Sequence, residues 1–320
     1  MSSQKALLAA KYLNMFPAFL FIFALLLMMA IPPIDFATPQ QDTRRTIVSD
    51  DFVKNRPRAR VRTKSPGKSG SVPDGKTSVG GRVYRLASQP LLGPGAKSSF
   101  SNQLQLGLTV WKLRPFAVAD FSVLRSIREN GRLRPGWIEE RVEADTRFHQ
   151  GEYLRLSIES PYAGYLYVID RDWFADGSSG DTNLIFPVRG DDNRLQAGRL
   201  IDIPAENQAP FKATPKFNQA GEILTIIVKS TPLRLPISDQ PQQISNTQLM
   251  EWEGLWRAMS ERFEMEGGAG QARTKQEEQA AARNRTRQLT RDDPGPQTIY
   301  VLTPKNRGAF LFNVNLSYIR

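Results

Sequence analysis

Four aspartates, Asp170, Asp172, Asp176 and Asp181, fall within twelve positions, with Gly177 and Gly180 between them. Carboxylates strung along a loop that glycines allow to fold back suit calcium, which gathers about 6 to 8 oxygen ligands. The EF-hand pattern is not met, because Phe174 stands where its third ligand belongs. Asp191, Asp192 and Asn193 would add oxygens if the two loops are neighbours. Turn chemistry alone also explains every one of these residues, since β-turns select Asp and Gly. Turn formation is the primary reading and calcium the alternative.

The only histidine, His149, sits just before Gln150-Gly151. Acyl-transfer chemistry needs such a base held by an acid and set beside a nucleophile. No GxSxG elbow, P-loop or kinase motif set is present, and Gly267-Gly268-Ala269-Gly270 follows an expected helix rather than a strand. No catalytic residue is assigned, and a hydrolase built on His149 is the second alternative. Cysteine is absent, which excludes disulfides, a thiolate nucleophile, Cys-ligated zinc and a lipoprotein anchor.

Two aromatic groups could bind a partner. Tyr162, Tyr165, Tyr167 and Trp173 cluster in sequence, and Tyr165 and Tyr167 share one strand face. Buried, they are core; exposed, they could stack on sugar rings or a peptide. Leu249, Trp252, Trp256, Met259 and Phe263 follow spacings of 3, 4, 3 and 4. That stripe predicts a helix over 246–266, with Ser245 as N-cap, Gln248 completing a capping box, and Gly267-Gly268 ending it. Packing on the domain is the primary reading of the stripe; a partner face through Trp252 and Trp256 is the alternative.

The elements that would position these residues are mostly strands. Leu106–Arg114 alternates. Val142–Ser160 reads as a hairpin turning at Gln150-Gly151, with Leu154, Leu156 and Ile158 on one face. Further strands are expected at Tyr165–Ile169, Leu184–Phe186, Leu200–Ile203, Ile223–Val228, Thr298–Leu302 and Ala309–Tyr318. Pro187, Pro204 and Pro232 each follow such a run, where a missing N–H ends a ladder. Ala117–Glu129 reads as a short helix. Residues 267–297 are polar and read as a mobile insertion, before a C-terminal hairpin over 298–318. Many short strands joined by turns predict an all-β domain, a β-sandwich, over 106–320 with the 246–266 helix packed on it.

Charge divides the chain differently. The net charge is +11 over 320 residues, yet residues 38–105 alone hold 13 Lys/Arg against 4 Asp/Glu. This Pro/Gly/Ser-rich segment reads as a disordered tether, with Gly81–Leu86 as a short strand within it. The rest is nearly neutral, so nucleic acid is not an expected partner. Residues 1–37 hold an uncharged apolar run, Met15–Ile34, after Lys5 and Lys11. It reads as a signal peptide or a membrane anchor through residues 13–34. Ala30 and Ala37 lack a small residue at −3, which favours the uncleaved anchor. Arg44, Arg45 and Lys54 pull against export, but long downstream segments translocate largely regardless of charge.

Gly151-Glu152, Gly164-Tyr165-Leu166-Tyr167-Val168, Phe186-Pro187, Asp192-Asn193, Ala197-Gly198 and Ile203-Pro204 occur in one order within 137–235. That series resembles the bacterial family called "domain of unknown function 4384". The resemblance implies an accessory module, of a kind found alone or appended to peptidase-like and kinase-like domains, with no activity to carry over. The expectation is an exported or membrane-anchored, non-enzymatic β-sandwich, immunoglobulin-like in general architecture, that binds a protein partner or envelope component. A carbohydrate- or envelope-polymer-binding module is the first alternative.

Overall fold

The computed structural model describes residues 39–58, 103–115, 127–129, 132–134, 137–283, 287–306 and 308–319. The expected leader, the 81–86 strand and most of the 117–129 helix lie outside the described residues; Ile127–Glu129 is a strand. Among the described residues no helix is long and apolar enough to cross a membrane. One compact unit ends at Arg44; the second, Arg45–Arg320, holds all strands of the described residues.

The first sheet is built on β1 (Leu104–Pro115). One flank of β1 pairs with β6 (Tyr153–Glu159); the other is shared by β4 (Trp137–Val142) and β15 (Thr298–Thr303). Beyond β6 lie β10 (Leu200–Ile203) and β11 (Phe211–Lys212), and beyond β15 lies β14 (Met259–Glu264). The second sheet runs β13 (Gln242–Gln243), β8 (Ser179–Phe186), β7 (Gly164–Phe174), β12 (Gln219–Lys229), β16 (Ala309–Ile319) and β5 (Arg147–His149), with β9 (Arg194–Leu195) beside β7. A separate ribbon joins β2 (Ile127–Glu129) to β3 (Arg132–Arg134). Among the described residues there are also three helices: α1 (Pro39–Lys54), α2 (Asn246–Trp256) and α3 (Lys275–Ala281).

The two large sheets share one core. Alternation sends Leu106, Leu108, Leu154, Leu156 and Ile158 inward from the first, and Leu166, Val168, Leu224, Ile226, Phe312 and Val314 inward from the second. Each such side chain contributes about 1.5–3 kcal/mol by leaving water. The outer face of the second sheet carries a separate apolar cluster. Leu249 and Trp252 of α2 cover Tyr167, Ile169, Leu184, Ile227 and Leu311 there. The Ser245 hydroxyl caps α2 by accepting from the Gln248 N–H at 3.2 Å.

Five expectations need correction. The 246–266 helix stops at Trp256, and 259–264 is strand β14. Met259 and Phe263 are four apart, which is one helical turn but also twice the strand period, so both readings place them on one face. The ladder to β15, six residue pairs long, takes the segment, and the Ala258 N–H donates to Leu311 O at 2.8 Å. The 142–160 hairpin is a turn without a ladder: Gly151 makes it at φ 91°, but β5 pairs in parallel with β16 while β6 pairs with β1. The 298–318 hairpin is likewise split, with β15 in the first sheet and β16 in the second.

The 267–297 insertion is pinned, and so is the first part of the 38–105 tether. Both lie on the outer face of the first sheet. Phe52 and Val48 of α1 pack on Phe263, Ile299 and Val301, and Phe52 is fully buried. Gly107 makes room, since a Cβ there would meet Pro296 Cγ at 2.6 Å and Phe52 Cζ at 2.8 Å. Arg56 forms a buried bidentate pair with Glu159 at 2.6 and 2.7 Å and donates to the Asp293 and Pro294 carbonyls. Arg273 reaches Glu139 at 2.7 Å and Asp202 at 2.8 Å, and Arg141 pairs with Glu277. The guanidinium groups of Arg141 and Arg273 both lie over the Trp111 ring. These charges are read as solvated in sequence; here each finds an opposite charge, which is the condition for burying it.

Candidate functional site

Among the described residues, one concavity is a cleft of about 510 Å³. It lies between the turn after β8, the end of β10 with the turn that follows, and the C-terminal end of α3. Its floor includes Phe186, Leu200, Ile201 and Ala281; its polar groups include Arg189, Asp191, Asp192, Arg199, Asp202 and Arg283.

Each polar group is held. Asp191 Oδ2 accepts from the Val188 N–H at 3.0 Å. Burial raises the Asp191 pKa, with Val188 and Arg283 pulling it back. Gly190 takes φ 89°, where only glycine is at ease, and its carbonyl accepts from Arg283 Nη2 at 3.0 Å. Arg199 pairs with Asp192 at 3.4 Å and donates to the Asp192 carbonyl at 2.5 Å. Asp202 accepts from Ser157 Oγ at 2.6 Å and from Arg273, so the cleft floor continues into the buried ionic layer. Gln208 closes the last turn by donating to Ala205 O at 2.8 Å.

Two of the residues that carry the family resemblance, Phe186 and Asp192, line this cleft. Phe186-Pro187 and Ile203-Pro204, both cis, stand at two borders of the cleft. Asn193 joins the Gly164–Val168 strand by accepting from the Leu166 N–H at 2.8 Å and donating to its carbonyl at 3.0 Å. Gly198 takes φ 75°, and its carbonyl accepts from the Leu289 N–H at 2.7 Å.

The sequence-selected residues scatter. Asp176 caps its own turn by accepting from Ser178 N–H and Oγ, and Asp181 is exposed on β8. Asp170 and Asp172 face inward from β7 at the end of the core. Among the described residues no three acidic or imidazole groups converge closely enough to hold a metal ion. His149 is exposed, and its backbone N–H donates to Glu152 Oε2 at 3.0 Å. Tyr167 is buried, and its hydroxyl accepts from the Leu233 N–H at 2.7 Å. Tyr165 packs beside it under α2. Trp252 and Trp256 stack at 5.8 Å, with Lys229 Nζ 4.5 Å above the Trp256 ring. Trp173 is half-buried and covers Gly221, where a Cβ would lie 2.6 Å from its Nε1. The aromatics are therefore mostly occupied by the protein itself.

Asp170 lines a second, smaller cavity of about 100 Å³, and Asp172 is its neighbour on β7. Leu154, Leu156, Ile185, Phe211, Leu224 and Leu316 supply apolar walls; Asp170, Glu222 and Tyr318 supply the polar end. Asp172 is satisfied by Gln219 Nε2 at 2.7 Å and by Lys216 Nζ at 2.5 Å. Glu222 accepts from the Tyr318 hydroxyl. Burial raises the Glu222 pKa despite that bond, and burial next to Glu222 raises that of Tyr318. Asp170 Oδ1 is buried with no hydrogen-bond partner. Burial first, then Glu222 and Asp172, push its pKa up to about 8.

Sequence reasoning missed Arg199, Asp202, Glu222, Arg283 and Tyr318 as site residues. Only Asp202 carried a usable signal, as a charge inside the otherwise apolar Leu200–Ile203 run. No family model, curated protein or solved structure matches the chain.

Proposed function

We propose that this chain is an exported or membrane-anchored, non-enzymatic recognition module, an immunoglobulin-like β-sandwich that binds a protein partner or envelope component through the 510 Å³ cleft. The carrying observation is that the cleft's polar groups are already paired on strand ends and tight turns. Such groups offer fixed geometry for recognition, as binding sites with a few well-placed polar groups do. A nucleophile poised beside a base would be the mark of covalent chemistry; the one histidine lies in an exposed turn. The resemblance to "domain of unknown function 4384" supports the same reading, because two of its marks, Phe186 and Asp192, line the cleft. The charge-free run Met15–Ile34 supports delivery to or across the membrane.

Site-specific photocrosslinking in cells tests the proposal. A photoreactive residue at exposed Asn207, on the cleft, is expected to trap a discrete product, and one at exposed Glu251 on α2 is not. Equal labelling from both positions, or none from Asn207, would sink the assignment of the cleft. Protease shaving of intact cells and spheroplasts tests the location: an exterior module is cleaved from outside, and a protected full-length product defeats it.

A further inference from the structure

The 100 Å³ cavity has one weakly built wall. Phe211, Lys212 and Ala213 cover it through β11, which pairs with β6 only at Leu154 and Tyr153. Two more bonds hold this wall: Gly151 N–H to Ala213 O and Ala213 N–H to Glu152 O, both 2.8 Å. The same stretch, continuing to Gln219, supplies the Lys216 and Gln219 partners of Asp172. One segment, 211–219, thus closes the cavity and holds Asp172, the carboxylate next to Asp170 on β7.

Asp170 faces charge from every side. Asp172 flanks it on β7, Glu222 on β12 and Tyr318 on β16; Lys216 and Lys212 come from the covering segment. Lys212 is also engaged with the Tyr153 ring, 5.6 Å from its centroid. Glu222 and Asp172 have donors, whereas Asp170 Oδ1 has none. The Asp170 carboxylate has only the backbone hydrogen bond from Arg171, so it is costly when ionised, and two neighbouring carboxylates add to the cost. Water is the cheapest source of the missing hydrogen bonds, and the two-residue strand is the easiest wall to move for it.

We propose that the Asp170 carboxyl is a proton-operated latch on segment 211–219: when it is neutral the segment closes the end of the core, and when it is ionised the segment lifts and admits water to the cavity. Burial and the neighbouring carboxylates push the Asp170 pKa up to about 8, which sets the working range at and below pH 8.

Hydrogen exchange of the full chain, corrected for the intrinsic pH dependence of exchange, tests this at the Phe211 and Ala213 amides between pH 6 and pH 9.5. Wild type is expected to lose about tenfold protection per pH unit, the slope of a single proton, from pH 6 up to a midpoint near pH 8 where Asp170 ionises in the closed state as well, and to level off above it. Asp170→Asn keeps the shape, removes the proton and should stay flat. Lys216→Gln removes a cation that favours ionised Asp170, so its opening midpoint should move to higher pH. A flat wild-type profile, or the same slope in Asp170→Asn, overturns the latch. Should Asp170→Asn fail to fold, the Lys216→Gln arm decides, because a midpoint that stays or falls also overturns it.

Discussion

The outer faces of the two large sheets are covered by opposite means. On the second sheet, α2 lays Leu249 and Trp252 over Tyr167, Ile169, Leu184, Ile227 and Leu311, an apolar contact throughout. On the first sheet, α1 contributes a small apolar contact through Phe52, but most of the cover is ionic. Arg56, Arg141, Arg155 and Arg273 meet Glu139, Glu159, Glu277 and Asp202, all of them buried. An apolar cover loses stability in proportion to the surface uncovered. An ionic cover fails abruptly, because removing one partner strands the other in a low dielectric.

The sharpest way to break the symmetry between the two faces is therefore a single substitution on each. Arg273→Met leaves Glu139 and Asp202 without their guanidinium and should cost about 3–5 kcal/mol. Leu249→Ala on the other face removes a fully buried side chain and should cost about 2–5 kcal/mol, toward the lower end because α2 lies at the surface and can settle. Urea denaturation of both variants measures the difference. Acid separates them further. Burial alone would raise the Glu139 pKa, but Arg273 and Arg155 outweigh it and hold the carboxyl below its ordinary value. A depressed carboxyl contributes stability above its unfolded pKa and loses it as pH falls through the folded one. Between about pH 5 and pH 3, wild type and Leu249→Ala should therefore lose this contribution in parallel. Arg273→Met has already lost the larger Coulombic partner and should show a shallower decline. Parallel curves for all three would mean that the ion pairs are not what holds this face.

The same contrast explains what could be read without the structure. The strands of the core were legible because apolar residues alternate at Leu154, Leu156 and Ile158 and again at Leu224, Ile226 and Val228. The Ser245 cap and the first half of the Leu249–Phe263 stripe were legible from helical spacing and cap chemistry. Its second half was not, because a spacing of four satisfies both helix and strand, and only the β15 ladder decides. The ionic cover was illegible. Arg56 lies in NRPRAR, and Arg273 and Glu277 lie in a run of Arg, Gln and Glu, compositions that describe solvated chain. Nothing local distinguishes an arginine that finds Glu159 about a hundred positions away, the separation of that bond being 103. The cleft was illegible for a related reason: its borders come from the turn after β8, the end of β10 and the end of α3, three places distant in sequence.

Helix caps carry the comparison to its smallest scale. Ser245 caps α2 with one bond, to the Gln248 N–H. Thr274 caps α3 with a full box: its hydroxyl accepts from the Glu277 N–H at 3.3 Å, and Glu277 Oε2 accepts from the Thr274 N–H at 2.9 Å and from its hydroxyl at 2.8 Å. The other oxygen of Glu277 is held by Arg141. Ser245→Ala therefore deletes an isolated cap and should cost about 1 kcal/mol. Thr274→Ala also takes a donor from a carboxylate in the ionic cover, so it should cost more, toward the 2 kcal/mol end of the range for caps. A double-mutant cycle with Arg141→Met measures the extra cost directly. Coupling of about 0.5 kcal/mol or more for Thr274, and none for Ser245, would show the α3 cap to be part of the ionic cover; equal values would reduce it to a local feature of a short helix.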